Sequence, residues 1–167
     1  KHWICILKSV KTERFYHHTP TQKSKKGEFL CQKEKEKLKE MELKSSQNEL
    51  AVNILKQIEN AIERLQERTK DINHVNDFLT SLSGMEKLDA TCMLLIAIGE
   101  SIKGFDKVTN KQILSKDKSV PWNDIMGVRD IIAHHYFDID AEEIFNIIKY
   151  DLEPLLLAIR KMIMNLE

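Results

Sequence analysis

Glycine and proline are scarce, five and three in the whole chain. Turn-rich β folds and low-complexity disordered chains use far more, so both classes are disfavoured. No apolar run approaches the ~20 residues that a membrane-spanning helix needs. The opening "KHWICILKSV" lacks both a long apolar stretch and a small-residue cleavage site, which argues against a secretion signal. Cysteine is limited to Cys5, Cys31 and Cys92, an odd count without a CxxC pair. That pattern suits free thiols in a reducing cytoplasm better than a disulfide framework. His17 and His18 lie between Cys5 and Cys31 at loose spacings, so neither a metal nor a cofactor is expected. Convincing strand alternation is also missing.

What is present is helical. The 167 residues are 42% hydrophobic, enough for one domain with a sizeable core. The formal net charge is zero, yet residues 1–47 carry 12 Lys/Arg against 6 Asp/Glu, while residues 48–167 carry 14 against 20. Residues 1–47 show no sustained apolar period. Their "CQKEKEKLKEMELKSS" suits a solvated helix with nothing to dock. This segment is read either as a non-native or disordered extension, with the protein proper beginning near Met41, or as a basic arm that meets nucleic acid or an acidic partner.

From residue 48 the pattern changes. Leu50, Ile54, Ile58, Ile62 and Leu65 predict an amphipathic helix over 48–68. A short helix is expected around Val75–Leu82, closed by Gly84. "MEKLDATCMLLIAIGESIKGF" is apolar on nearly every side and must be covered by several neighbours or a second subunit. A connector follows, with room for one helical turn. Pro121 then starts another helix, in which Trp122 packs and which ends near His134 or His135. Asp140 caps the last helix, whose stripe runs Ile144, Ile148, Leu152, Leu155, Ile159, Met162 and Leu166. Pro154 should kink or break it. The expectation is all-α, a bundle of four or five helices.

"RDIIAHHYFDID" concentrates titratable groups beside this apolar sequence. Arg129 and Tyr136 fall about 20° apart on a helical wheel, and His134 reaches them only if the helix end frays or kinks. One reading is an ordinary helix end, with histidine favoured by the dipole and Arg129 paired to Glu100 or to Asp130 of another subunit. The other is a site. Asp89 and Glu100 share one face of the preceding helix, and Glu100 could orient Arg129 or His134. Cys92 is expected in the core rather than as a nucleophile.

The spacing Arg, four residues, His, one residue, Tyr resembles the signature of the HEPN superfamily. The ordered blocks "ERTKDI", "GMEKLDATCMLLIAIGESIK", "PWNDIMGVRDIIAHHYFDID" and "IIKYDLEPLL" are similar to the HepT-like toxin branch over residues 48–166. The resemblance implies a dimeric, mostly antiparallel bundle of five helices that cleaves RNA without a metal, as the toxin of a toxin–antitoxin pair. Its antitoxin would be an MntA-like minimal nucleotidyltransferase that attaches AMP to the motif tyrosine. By position, Arg129 and His134 become the catalytic pair and Tyr136 the substrate-positioning and modified residue. Asp130 stands where that branch often has asparagine, so only a supporting role falls to it, as to Glu100. His135 inherits none. The chemistry suits the residue types. A ribose 2′-hydroxyl can attack its own phosphate, an imidazole can move the proton, and a guanidinium can bind the phosphate. The competing readings are a catalytically silent helical partner of a nucleotidyltransferase and a helical module that binds nucleotides. The acidic balance of residues 48–167 weighs against a long RNA footprint.

Overall fold

A computed structural model describes the backbone of residues 22–134 and 138–167, and the side chains from residue 32 onward within those ranges. The elements are α1 (Gln22–Thr69), α2 (Asn76–Leu79), α3 (Leu82–Val108), a 3-10 turn (Leu114–Lys116), α4 (Trp122–His134), α5 (Ala141–Asn146), a π turn (Ile147–Asp151) and α6 (Leu152–Leu166). No strand occurs among the described residues. The protein is an all-α helical bundle. With α5, the π turn and α6 taken as one continuous rod, it has five helices among the described residues.

The chain divides into two compact units, Lys1–Glu42 and Leu43–Glu167. In the first, residues 32–42 are helical and exposed throughout, as a charge-alternating sequence without an apolar stripe should be. The core lies in the second unit. There the buried line of α1 is Ala51, Leu55, Ile58, Ile62 and Leu65, continued by Thr69 and Ile72. Leu50, assigned to the stripe from the sequence, is half exposed. Ile58, Ile62 and Leu65 are buried as expected and Ile54 packs against the core, so the line departs from the expected stripe only at its start, where Ala51 and Leu55 take the innermost places.

Polar rungs fix the register of α6 against α1. Lys56 pairs with Glu167 at 2.6 Å, Arg160 forks onto Glu59 and Glu63 at 2.7 and 2.6 Å, and Gln66 donates to Glu153 at 3.0 Å. Ascending numbers on one helix meet descending numbers on the other, so the two run antiparallel. Between the rungs, Leu152, Leu155, Leu156, Ile159, Met162 and Ile163 supply the buried face of α6.

The π turn is where the last helix departs from regularity. Leu152 N–H reaches back five residues to the Ile147 carbonyl. The helix restarts at Leu152, which puts Pro154 in the first turn of α6, where a missing N–H is tolerated. The interruption expected from Pro154 is thus present and begins seven residues before it.

Gly84 does not close α2. Ser81 caps α3 by accepting the Gly84 N–H at 3.0 Å, so Gly84 sits inside α3. A Cβ there would fall on the Asp77 carbonyl oxygen, and glycine lets α2 and the start of α3 close together. The far end of α3 is a Schellman turn. Lys111 N–H bonds the Asp106 carbonyl at 2.8 Å, and Asn110 N–H bonds that of Lys107 at 3.1 Å. Asn110 and Lys111 have φ of 52° and 60°, the left-handed conformation that asparagine accepts and lysine resists.

Candidate active site

The site is built on the contact between α3 and α4. Pro121 precedes α4, and its carbonyl accepts the Asp124 and Ile125 N–H groups. Trp122, buried, anchors this start by donating its indole N–H to the Asp117 carbonyl at 3.1 Å. From there α4 crosses α3 at Gly99. A Cβ on Gly99 would lie 3.0 Å from the Arg129 Cβ and 3.2 Å from the Ile125 carbonyl oxygen. The missing side chain lets the two backbones approach, and it sets the next residue of α3, Glu100, beside the arginine.

Arg129 is held from two sides. Its Nε lies 3.1 Å from Glu100 Oε2, across the helix contact, and its NH1 donates to Asp130 Oδ1 at 2.5 Å. About a third of its side chain remains exposed, at 36%. The hydrogen bond to Asp130, then the charge of Glu100, keeps the guanidinium protonated even more firmly than usual. The same hydrogen bond from Arg129 holds the Asp130 carboxyl below its ordinary range, with smaller help from the nearby charges of Arg129, Lys103 and His134.

His134 is the last residue of α4 and is exposed. It is near enough to Asp130 for its charge to act on that carboxyl. The structure therefore gathers Arg129, Glu100 and Asp130, with His134 at the adjoining helix end. Tyr136 lies outside the described residues, as do His135 and Phe137. Cys92 is 1% exposed, and burial pushes its thiol up to about 11, so it stays protonated in the core. Among the described residues no group of three His, Cys, Asp or Glu side chains gathers to hold a metal. None of their helices is long and apolar enough to cross a membrane.

Known proteins match the same stretch of chain. A family model described as "Ribonuclease HepT-like" matches residues 58–162, from the core of α1 through α6. This chain belongs to the HepT-like ribonuclease family. Over 113 residues, 68% of this chain and 47% of the relative, it is 30% identical to a protein of Methanocaldococcus jannaschii named "Gamma-glutamylcyclotransferase and putative RNase". Over 85 residues, 51% of this chain and 71% of the relative, it is 34% identical to a second protein of that organism, named "Putative RNase". The chain thus spans less than half the length of the first relative. No solved structure matches it. The family match encloses Gly99, Glu100, Arg129, Asp130, His134 and Tyr136 together.

Sequence reasoning named Arg129, His134, Asp130 and Glu100 as candidates, but it gave no part to Gly99. Its signal was there to read: a glycine inside an otherwise apolar helix, directly before an acid, marks a close helix crossing.

Proposed function

We propose that this HepT-like protein is an endoribonuclease that cleaves RNA without a metal. The observation that carries this reading is Arg129, fixed by Glu100 across the helix contact and partly open to solvent, with His134 at the end of the same helix near Asp130. The guanidinium binds a non-bridging phosphate oxygen pair of the substrate. A general base removes the 2′-hydroxyl proton as that oxygen attacks phosphorus. The bond from phosphorus to the 5′-oxygen breaks, and a general acid returns a proton to the leaving oxygen. The products are a 2′,3′-cyclic phosphate and a 5′-hydroxyl end. His134 supplies one of these proton transfers, and Arg129 stabilises the charge that builds on the phosphate.

In the same reading two copies form a dimer, and each site sits beside the paired surface. Support comes from Met93 on α3 and Ile131 on α4, large apolar side chains 61% and 63% exposed on the two helices that carry the site. Tyr136 positions the substrate. A minimal nucleotidyltransferase neutralises the protein by attaching AMP to it, since the added phosphodiester competes for Arg129 and repels RNA. The pair acts as toxin and antitoxin in the cytoplasm.

The test is cleavage of single-stranded RNA in EDTA by the unaltered chain and by His134→Ala. Cyclic-phosphate ends are expected from the former, with a loss of at least about 100-fold in the latter. Equal cleavage by both would remove His134 from the mechanism. No cleavage by either would leave a silent helical partner or a nucleotide-binding module. Intact mass after incubation with a cognate transferase and ATP should show added AMP that Tyr136→Phe abolishes.

A further inference from the structure

The acidic balance of residues 48–167 poses a problem for any RNA enzyme, and the distribution of the charge answers it. Residues 103–118 hold five lysines and two aspartates, a balance of +3 inside a stretch that totals −6. They enclose an open cleft of about 1060 Å³ between the end of α3, the 3-10 turn and the start of α4. Lys103, Lys107, Lys111 and Lys118 line it together with Asp106, Asp117 and Asp124, and all four lysines are exposed. None forms an ion pair among the described residues, whereas Lys56, Lys70, Lys87, Arg129 and Arg160 all do.

The cleft is lined by none of Glu100, Arg129, Asp130 and His134, and it comes nearest to them at Lys103. Glu100, Lys103 and Lys107 recur at three- and four-residue spacing on one face of α3. Lys103 is close enough to Asp130 for its charge to act there. From Glu100 to Lys107 is about 10 Å along the helix axis. The row continues through the Schellman turn to Lys111, held in a left-handed conformation that a lysine does not choose for itself. Asn110 and Asn123 add side-chain amides to the lining.

We propose that this lysine-lined cleft holds the single-stranded RNA that flanks the scissile phosphate, an assignment resting on the ribonuclease reading above. The lysines neutralise successive phosphates and carry no base code, so the contact is tolerant of sequence. Arg129 takes the reacting phosphate, Lys103 stands next to it, and Lys107, Lys111 and Lys118 hold the strand beyond.

The probe is fluorescein-labelled 2′-O-methyl RNA of roughly 15 nucleotides, near the upper end of single-strand site sizes, with no 2′-hydroxyl to be attacked. Anisotropy gives its affinity for the full chain across a salt series. Changing Lys107, Lys111 and Lys118 together to Gln should weaken binding by at least about tenfold and lower the log–log salt slope by about 2, since each single-strand phosphate contact contributes ~0.7. Changing the ion-paired Lys56, Lys70 and Lys87 to Gln removes the same charge and should move neither reading appreciably. Equal weakening by both triple variants, no weakening by either, or a slope below about 1 for the unaltered chain overturns the assignment. Displacement of the RNA by polyglutamate at matched charge overturns it too, and points to an acidic protein instead. Circular dichroism confirms that both variants keep the helical signal. The nuclease reading is measured separately on unmodified RNA. Binding without cleavage sinks that reading and leaves the cleft, while cleavage indifferent to Lys107, Lys111 and Lys118 does the reverse.

Discussion

At the scale of single residues, the arginine of the site does not wait empty. Glu100 engages its Nε and Asp130 its NH1, so a substrate phosphate competes with two carboxylates for the guanidinium charge. Asp130 is the more exchangeable partner, because it sits on the same helix, next in sequence, and is half exposed. Asp130→Asn removes a competing anion and keeps a hydrogen-bonding side chain. The expected outcome is a KM for RNA lowered several-fold with kcat changed less, read from steady-state cleavage. An unchanged KM would mean that Asp130 does not compete with the substrate. Gly99 works by subtraction. A Cβ would already press on Arg129 and the Ile125 backbone, so the branched side chain of Gly99→Val must push α4 away from α3. Overpacking of this kind costs about 1–3 kcal/mol, and here it also separates Glu100 from Arg129. Thermal unfolding should show the loss, and cleavage should fall by more than stability alone explains. Much of this neighbourhood was legible in the sequence, because an Arg–His–Tyr spacing and an upstream acid are local signals. The closeness of Glu100 and Arg129 was only an option there. It depends on a glycine whose effect is to let two backbones meet, and no periodicity records that.

At the scale of elements, helices announce themselves through apolar spacing, and their ends do not. The stripe from Ile144 to Leu166 is buried or half-buried at every named position. The boundary between α2 and α3 was misjudged, because Gly84 looks like a terminator and acts as a close-approach residue. The connector after α3 looked featureless, because its lysines line a cleft only once the Schellman turn folds them back. Three carboxyls at such junctions sit below their usual range: Asp71 through its hydrogen bond to Lys87, Asp77 through the Asn73 and His74 N–H groups, and Asp130 through Arg129. A carboxyl whose folded value is lowered contributes fully above its unfolded value near ~3.9, and the contribution disappears as pH falls through the folded value. Asp71 and Asp130 are exposed and Asp77 is half-buried, so solvent screening keeps the effect modest. The thermal midpoint should begin its decline below about pH 4 and fall less steeply in Asp77→Asn. Identical acid limbs for the two proteins would exclude Asp77 from that decline.

At the scale of the whole molecule, charge is segregated. The first 47 residues are basic, the domain that follows is acidic, and five of that domain's lysines fall within residues 103–118, at and beyond the end of α3. Such segregation concentrates attraction for a polyanion where the chemistry is proposed, without giving the whole surface a basic character. Assembly belongs to this scale as well. If paired copies bury Met93 and Ile131, then Ile131→Glu, which introduces a charge into that contact, should shift sedimentation from dimer to monomer at micromolar concentration. A monomeric unaltered chain, or a dimer indifferent to the change, would move the interface elsewhere or remove it. The helical class was legible at this scale because polar and apolar residues sort cleanly, whereas the antiparallel order was an expectation from the family resemblance. The cleft was not, since its walls come from three separate elements.

The widened loop of backbone at Ile147–Asp151 has one more implication. It accommodates a surplus amino acid without disturbing the turns on either side, much as an inserted letter can be absorbed in a margin. The last rod is therefore spliced rather than uniform, and its two halves need not share one phase. A shortened chain lacking Tyr150, which is 69% exposed, would close the seam and return the rod to ordinary pitch. The same excision between Leu155 and Ile159 would turn the buried residues beyond it about 100° out of phase with those before it.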